Sequence, residues 1–132
     1  MPRVQYSEAV EQRFRRPSRA GSLPDGPGVR ASTVGSTATG GVLRLQIQLD
    51  ESGIIKDARF KAWGCGATIA AGSYAAETVI GLTAQQAAAI RSTDIARALQ
   101  LAPVKMHCAM LAEDAIKAAI GQGHHIVTQG SS

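Results

Sequence analysis

Leu43, Leu45, Ile47 and Leu49 alternate with Arg44, Gln46 and Gln48, the period-two pattern of a strand with one face buried. Asp50-Glu51-Ser52-Gly53 is a turn cluster, after which Ile54, Lys56, Ala58, Phe60 and Ala62 alternate with Ile55, Asp57, Arg59, Lys61 and Trp63. The two runs predict an antiparallel hairpin with one wetted face. Beyond Gly64 the period changes. The alanine-rich stretch from Ile69 to Ile80 predicts a helix that Gly81 ends, and Thr83 with Gln86 forms a capping box for a second helix over 84–90. Thr93 or Asp94 caps a third short helix through Leu99. Pro103 forbids its continuation. After His107, Cys108, Leu111, Ala112, Ala115, Ile116, Ala119 and Ile120 recur at helical spacing, so the last helix turns an apolar stripe to the core.

Ahead of the hairpin, Ser7 caps a short helix striped by Tyr6, Val10 and Phe14, with Glu11 four residues before Arg15, and Pro17 stops it. From Ser18 to Ser36 Gly, Pro, Ser and Arg dominate, the composition of a mobile or draped connector. The tail from Gly121 shows no periodicity and is expected to fray. The division is therefore 1–33 for the helix and connector, 34–121 for the folded domain and 122–132 for the tail. Strands followed by helices predict an α+β fold, a small antiparallel sheet of about three strands covered on one face by helices.

At 132 residues the chain fits one domain that needs no disulfide staple. No charged n-region leads into an apolar h-region, which argues against secretion, and no apolar run nears the roughly 20 residues of a membrane span. The expected setting is soluble, reducing and cytoplasmic. The net charge of +4 comes mainly from arginines in the N-terminal segment, read as a docking surface for an acidic partner or as an aid to solubility. Aromatic residues make up only 4%, too few for base stacking, so nucleic acid is not an expected partner.

Candidate chemistry gathers at two places that hold both cysteines, Gly64-Cys65-Gly66 and His107-Cys108. Cys65 lies between strand and helix, where backbone N–H groups and the helix dipole favour a thiolate; a small buried cysteine at a tight turn is the equal alternative. Cys108 opens an apolar stripe and by itself reads as core. His107 shifts that reading, since imidazole beside thiolate is a usual pairing for zinc or iron, and Lys105 can bias the sulfur toward its anion. Spacing alone does not bring positions 65 and 108 together. His124-His125 in the tail reads as solvated, as does the Glu113-Asp114 pair facing away from the stripe. With no phosphate loop or nucleophile elbow present, a conventional enzyme is not expected.

Tyr6-Ser7, Val34-Gly35, Leu45-Gln46-Ile47, Gly53-Ile54-Ile55, Asp57 to Lys61, Gly64-Cys65-Gly66, Thr93 to Ala96, Pro103-Val104-Lys105, His107-Cys108 and Leu111 to Ala119 together resemble the IscU family of iron-sulfur cluster assembly scaffolds, found also as the N-terminal domain of NifU. The resemblance implies a compact IscU/SufE-like α+β scaffold that is a platform more than an enzyme. Such a platform takes sulfur as persulfide from a cysteine desulfurase, collects iron, holds a [2Fe–2S] cluster and passes it to apo-proteins with an Hsp70-type chaperone and co-chaperone. It implies ligand roles for Cys65, His107 and Cys108, with Cys108 accepting sulfur and zinc a possible substitute for iron. Leu101, Pro103, Val104 and Lys105 match the chaperone-recognition motif, with Ala102 in place of one proline.

Two ligand positions depart from the family. Where typical members carry a first cysteine and an aspartate, this chain has Thr39 and Gly41. A hydroxyl is a poor ligand beside a thiolate, and glycine supplies none. Three donors remain where a cluster or a structural zinc takes four. A homodimer, a small thiol or a desulfurase loop could complete the shell. The leading expectation is a scaffold with an incomplete Cys/His site; the alternative is a paralogue that binds zinc or regulates the desulfurase without building clusters.

Overall fold

The computed structural model describes residues 7–36, 38 and 40–121. Its elements run α1 (Glu8–Arg15), β1 (Val29–Ser36), β2 (Gly41–Leu49), β3 (Ile55–Trp63), α2 (Gly66–Val79), α3 (Ala84–Ala88), α4 (Ser92–Leu99) and α5 (Met106–Ala119), with a 3-10 turn over Pro103–Lys105. The sheet is antiparallel in the order β1-β2-β3. Leu43, Leu45 and Ile47 of the central strand are fully buried under α2 and α5, so the α+β architecture expected from the hydrophobic pattern is the one formed.

Three local expectations change. Residues 29–36 have the composition of a connector but form β1, pairing along their length from Val29 opposite Gln48 to Ser36 opposite Gly41. An edge strand with little apolar content leaves a faint signal. β1 is held to α5 by Ser32, whose hydroxyl donates to the Ala115 carbonyl at 2.8 Å, and by Arg30, which donates to the Ile120 carbonyl at 3.3 Å. In β3, Ile55 rather than Ile54 is fully buried. The ladder pairs Gln48 with Asp57 but Leu49 with Ile55, so a bulge at Lys56 shifts the alternation by one residue. The hairpin's outer face is also not open to water throughout. Leu23 lies across it, its N–H donating to Gln46 Oε1 at 2.9 Å, and Gln46 is only 4% exposed.

The N-terminal segment is thus a strap. Ser7 caps α1 as expected. Arg19 to Gly21 then runs beside β3, with the Phe60 N–H donating to the Arg19 carbonyl and the Gly21 N–H to the Phe60 carbonyl, which satisfies a strand edge that would otherwise be bare. Arg19 also pairs with Asp57, and Arg13 with Glu77. Arg13, Arg19 and Arg30 therefore hold the molecule together, and the reading of this segment's charge as a docking surface or a solubility aid does not extend to them. Glu113 likewise is no solvated ornament: it accepts the Ser92 N–H at 2.7 Å at the start of α4 and pairs with Lys117.

Helix α2 sits close to the sheet because Gly72 faces it. A Cβ there would fall 2.6 Å from Phe60 Cδ2 and 2.7 Å from Leu43 Cδ1. That approach brings the N-terminus of α2 against the start of α5 and so places the candidate site.

Candidate metal centre

β3 ends at Trp63, and Gly64, at φ +154°, turns the chain so that Cys65 becomes the N-cap of α2. A Cβ at Gly64 would press on the Gly40 carbonyl at 3.0 Å, so only glycine allows this bend to lie against the start of β2. At the other approach, Pro103 begins a 3-10 turn whose Lys105 N–H donates to the Ala102 carbonyl at 2.8 Å. The turn leads straight into α5, which starts at Met106, so His107 and Cys108 both lie in its first turn.

These two chain reversals bring the sulfurs together. Cys65 Sγ and Cys108 Sγ are 3.9 Å apart, with no disulfide between them. His107 Nε2 lies 3.6 Å from Cys108 Sγ, and Lys105 Nζ lies 3.6 Å from Cys65 Sγ. The separation suits a shared ion: two sulfurs bound tetrahedrally at about 2.3 Å stand roughly 3.8 Å apart. Among the described residues no three His, Cys, Asp or Glu side chains form a ready-made metal cluster. What the fold presets is a sulfur pair, with an exposed imidazole beside one member.

The two thiols are not equivalent. Partial burial pushes the Cys65 thiol up, but hydrogen bonds from the Thr68 hydroxyl, from the N–H groups of Thr68 and Ala67 and from the Cys108 thiol outweigh it and bring it down to about 7. Cys108 has no exposed surface. Burial pushes its thiol up, and the negative charge of Cys65 adds to this, against the opposing pull of Thr68 and Lys105. Near neutrality the Cys65 thiol is therefore close to half ionised, while Cys108 keeps its proton.

Gly41 opens β2 beside this pair, and a Cβ on it would meet Thr68 Oγ1 at 3.2 Å and Leu111 Cδ2 at 3.6 Å. Thr39, His124 and His125 lie outside the described residues. Of the residues matched to a chaperone motif, Leu101 is half-buried, Pro103 is exposed and Val104 is 71% exposed; the segment is a turn rather than an extended strand. Thr68 was not singled out from sequence. Its side chain touches both sulfurs, at 3.6 Å from Cys65 and 3.4 Å from Cys108. Its signal was a hydroxyl three residues after Cys65 in the first turn of an alanine-rich helix, on the face the cysteine shares.

Residues 5–128 match the family described as NifU-like N terminal domain. The chain is 49% identical over 116 residues to the iron-sulfur cluster assembly scaffold protein IscU of Escherichia coli K12, covering 87% of this chain and 91% of that one. Against the IscU scaffold protein of Azotobacter vinelandii it is 47% identical over 121 residues, covering 91% and 94%. The solved N-terminal domain of a nitrogen-fixing NifU-like protein from Brucella abortus superposes with a TM-score of 0.69 over 88% of this chain and 92% of that one, at 21% identity, a likeness of fold. No helix among the described residues is long and apolar enough to cross a membrane. With a family match spanning nearly all of its length and relatives sharing close to half its positions, the chain belongs to the IscU and NifU-like N-terminal domain family.

Proposed function

We propose that this protein serves as an iron-sulfur cluster assembly scaffold whose working site is the sulfur pair Cys65–Cys108 with His107 at its edge. The observation that carries the reading is the 3.9 Å sulfur separation, reached by residues from two distant chain reversals. Iron and sulfide are here cargo, collected and passed on. Two thiolates and a neutral imidazole supply three of the four donors that a tetrahedral ion takes, and the open position suits exchange better than storage. The fourth donor comes from outside the described residues or from a second molecule, such as a homodimer partner or a cysteine desulfurase.

Sulfur delivery divides the labour between the cysteines. The resemblance gives Cys108 the acceptor role, yet Cys108 is sealed from solvent with its thiol raised. Cys65 is the partly exposed sulfur whose thiol lies near 7, and the thiolate is the nucleophile. Cys65 therefore attacks the outer sulfur of a desulfurase persulfide. The S–S bond of the donor breaks, the donor cysteine leaves as thiolate, and Cys65 carries the sulfane sulfur until electrons from an external thiol reduce it to sulfide. Cys108 and His107 hold iron beside it. The exposed turn at Pro103 and Val104 is the surface offered to a chaperone.

Anaerobic reconstitution with ferrous iron, sulfide and thiol tests the proposal. The expected visible absorption of a cluster is lost in Cys65→Ser and in Cys108→Ser and kept in Thr39→Ala. Normal reconstitution of both cysteine variants would overturn it.

A further inference from the structure

We infer that Thr68 is a positioning residue for this site, its hydroxyl bracing the two sulfurs at the separation an ion can bridge. The inference rests on the scaffold reading above and adds a residue to it. Thr68 belongs to the first turn of α2 and is 2% exposed, so its hydroxyl must find partners inside the protein. Among the described residues its Oγ1 meets sulfur on two sides, 3.6 Å from Cys65 and 3.4 Å from Cys108. With the 3.9 Å sulfur separation these distances make a nearly equilateral triangle. The hydroxyl is a wedge on one side of the pair, so an ion bridging the sulfurs would bind from another side.

A hydroxyl has one proton and two lone pairs. It donates to one sulfur while packing against the other, which fixes both side chains and draws charge from the sulfur that receives the proton. Hydrogen bonds of this kind orient metal ligands and tune the bound metal, and removing one typically costs about 10- to 100-fold in affinity. Thr68 does not need to be a ligand itself. A neutral alcohol competes poorly with thiolate for a soft ion.

Cobalt(II) added to the reduced, oxygen-free full chain reads the effect through affinity and through the sulfur-to-cobalt charge-transfer band. In Thr68→Val, which keeps the shape and loses the hydroxyl, affinity falls at least about tenfold. The band also moves to longer wavelength, because the sulfur becomes the better electron donor. Thr68→Ser restores both. Thr68→Ala, which cannot crowd its neighbours, serves where the valine variant folds poorly, with the same expectation. Wild-type affinity and band position in the hydroxyl-free variants would overturn the inference, as would loss of affinity without a band shift or without rescue by serine. Cys65→Ser and Cys108→Ser separate the two levels. If they abolish cobalt binding while Thr68 variants do nothing, only Thr68 loses its role. If they too leave binding intact, or if the wild-type chain takes up no cobalt, the scaffold site falls and this inference with it.

Discussion

Thr68 stands in the space that a side chain at position 41 would enter: a Cβ on Gly41 lies 3.2 Å from its Oγ1 and 3.4 Å from its Cγ2. The resemblance to the family assigns an aspartate to position 41, so the glycine and the threonine form a complementary pair. Gly41→Asp alone crowds Thr68, and overpacking of this kind costs about 1–3 kcal/mol. In a Thr68→Ala background the carboxylate has room to reach the sulfurs. The expected outcome in cobalt(II) titrations is a gain of about tenfold or more from Gly41→Asp in the alanine background, an added ligand being worth at least as much as a supporting contact. In the threonine background no gain is expected. An equal gain in both would show that Thr68 does not govern access to this corner.

The unequal environments of the cysteines predict unequal chemistry. Iodoacetamide attacks thiolates, so alkylation of Cys65 should rise with pH through a midpoint near 7, the value its hydrogen bonds set. Cys108, buried and pushed upward, should react far more slowly under native conditions and catch up after unfolding. Peptide mass spectrometry of samples quenched along a pH series distinguishes the sites. Faster modification of Cys108 would reverse the roles assigned to the two sulfurs.

Much of this site is legible in the sequence because its candidate ligands sit on punctuation. Glycines flank Cys65 and Pro103 precedes His107-Cys108, so both chain reversals announce themselves. Thr83 with Gln86 likewise forms the expected capping box. What the sequence conceals is tertiary. β1 has a mostly polar surface and is a strand because β2 and α5 hold it. Ile55 replaces Ile54 in the core because one residue bulges, and alternation cannot locate a bulge. The buried Thr68 hydroxyl means little until two sulfurs are found against it. Arginine-rich composition suggested an external role for the N-terminal segment, since composition cannot distinguish a cation that meets a partner from one that meets Glu77 or Asp57.

Gly72 poses a test of sign. Alanine is a better helix former than glycine by about 1 kcal/mol, which alone would make Gly72→Ala stabilising. The new methyl would stand 2.6 Å from Phe60 Cδ2 and 2.7 Å from Leu43 Cδ1, and both neighbours are buried in the core. Packing outweighs propensity here, for a net loss of about 1 kcal/mol or more. Phe60→Leu should cost less in the alanine background than in the wild type, because it relieves the same overlap. Urea unfolding of the four combinations measures that coupling, and additive losses would refute it.

Arg13 and Glu77 tie α1 to α2 through two hydrogen bonds, Nε to Oε2 at 3.1 Å and Nη2 to Oε1 at 2.9 Å, with the guanidinium 5.4 Å from the centre of the Tyr74 ring. Ser18 and Ser73 also donate to Oε2. Burial raises the Glu77 carboxyl, but hydrogen bonds from Arg13 and Ser18, the Arg13 charge and the Ser73 hydroxyl overcome it and hold it below the ordinary range. A carboxylate lowered by folding contributes stability that is fully present above its unfolded pKa and is lost as pH falls through the folded value. Glu77→Gln should therefore be less stable than wild type near neutrality, by about 1–3 kcal/mol for hydrogen bonds to a charged group. The gap should close as pH drops below about 4, where an unfolded carboxylate takes up its proton. Arg13→Met, which keeps an unbranched stem and loses the charge, should show the same closing gap. Denaturation midpoints measured across that range decide it: a difference that stays constant with pH would mean that Glu77 contributes through packing and not through its charge.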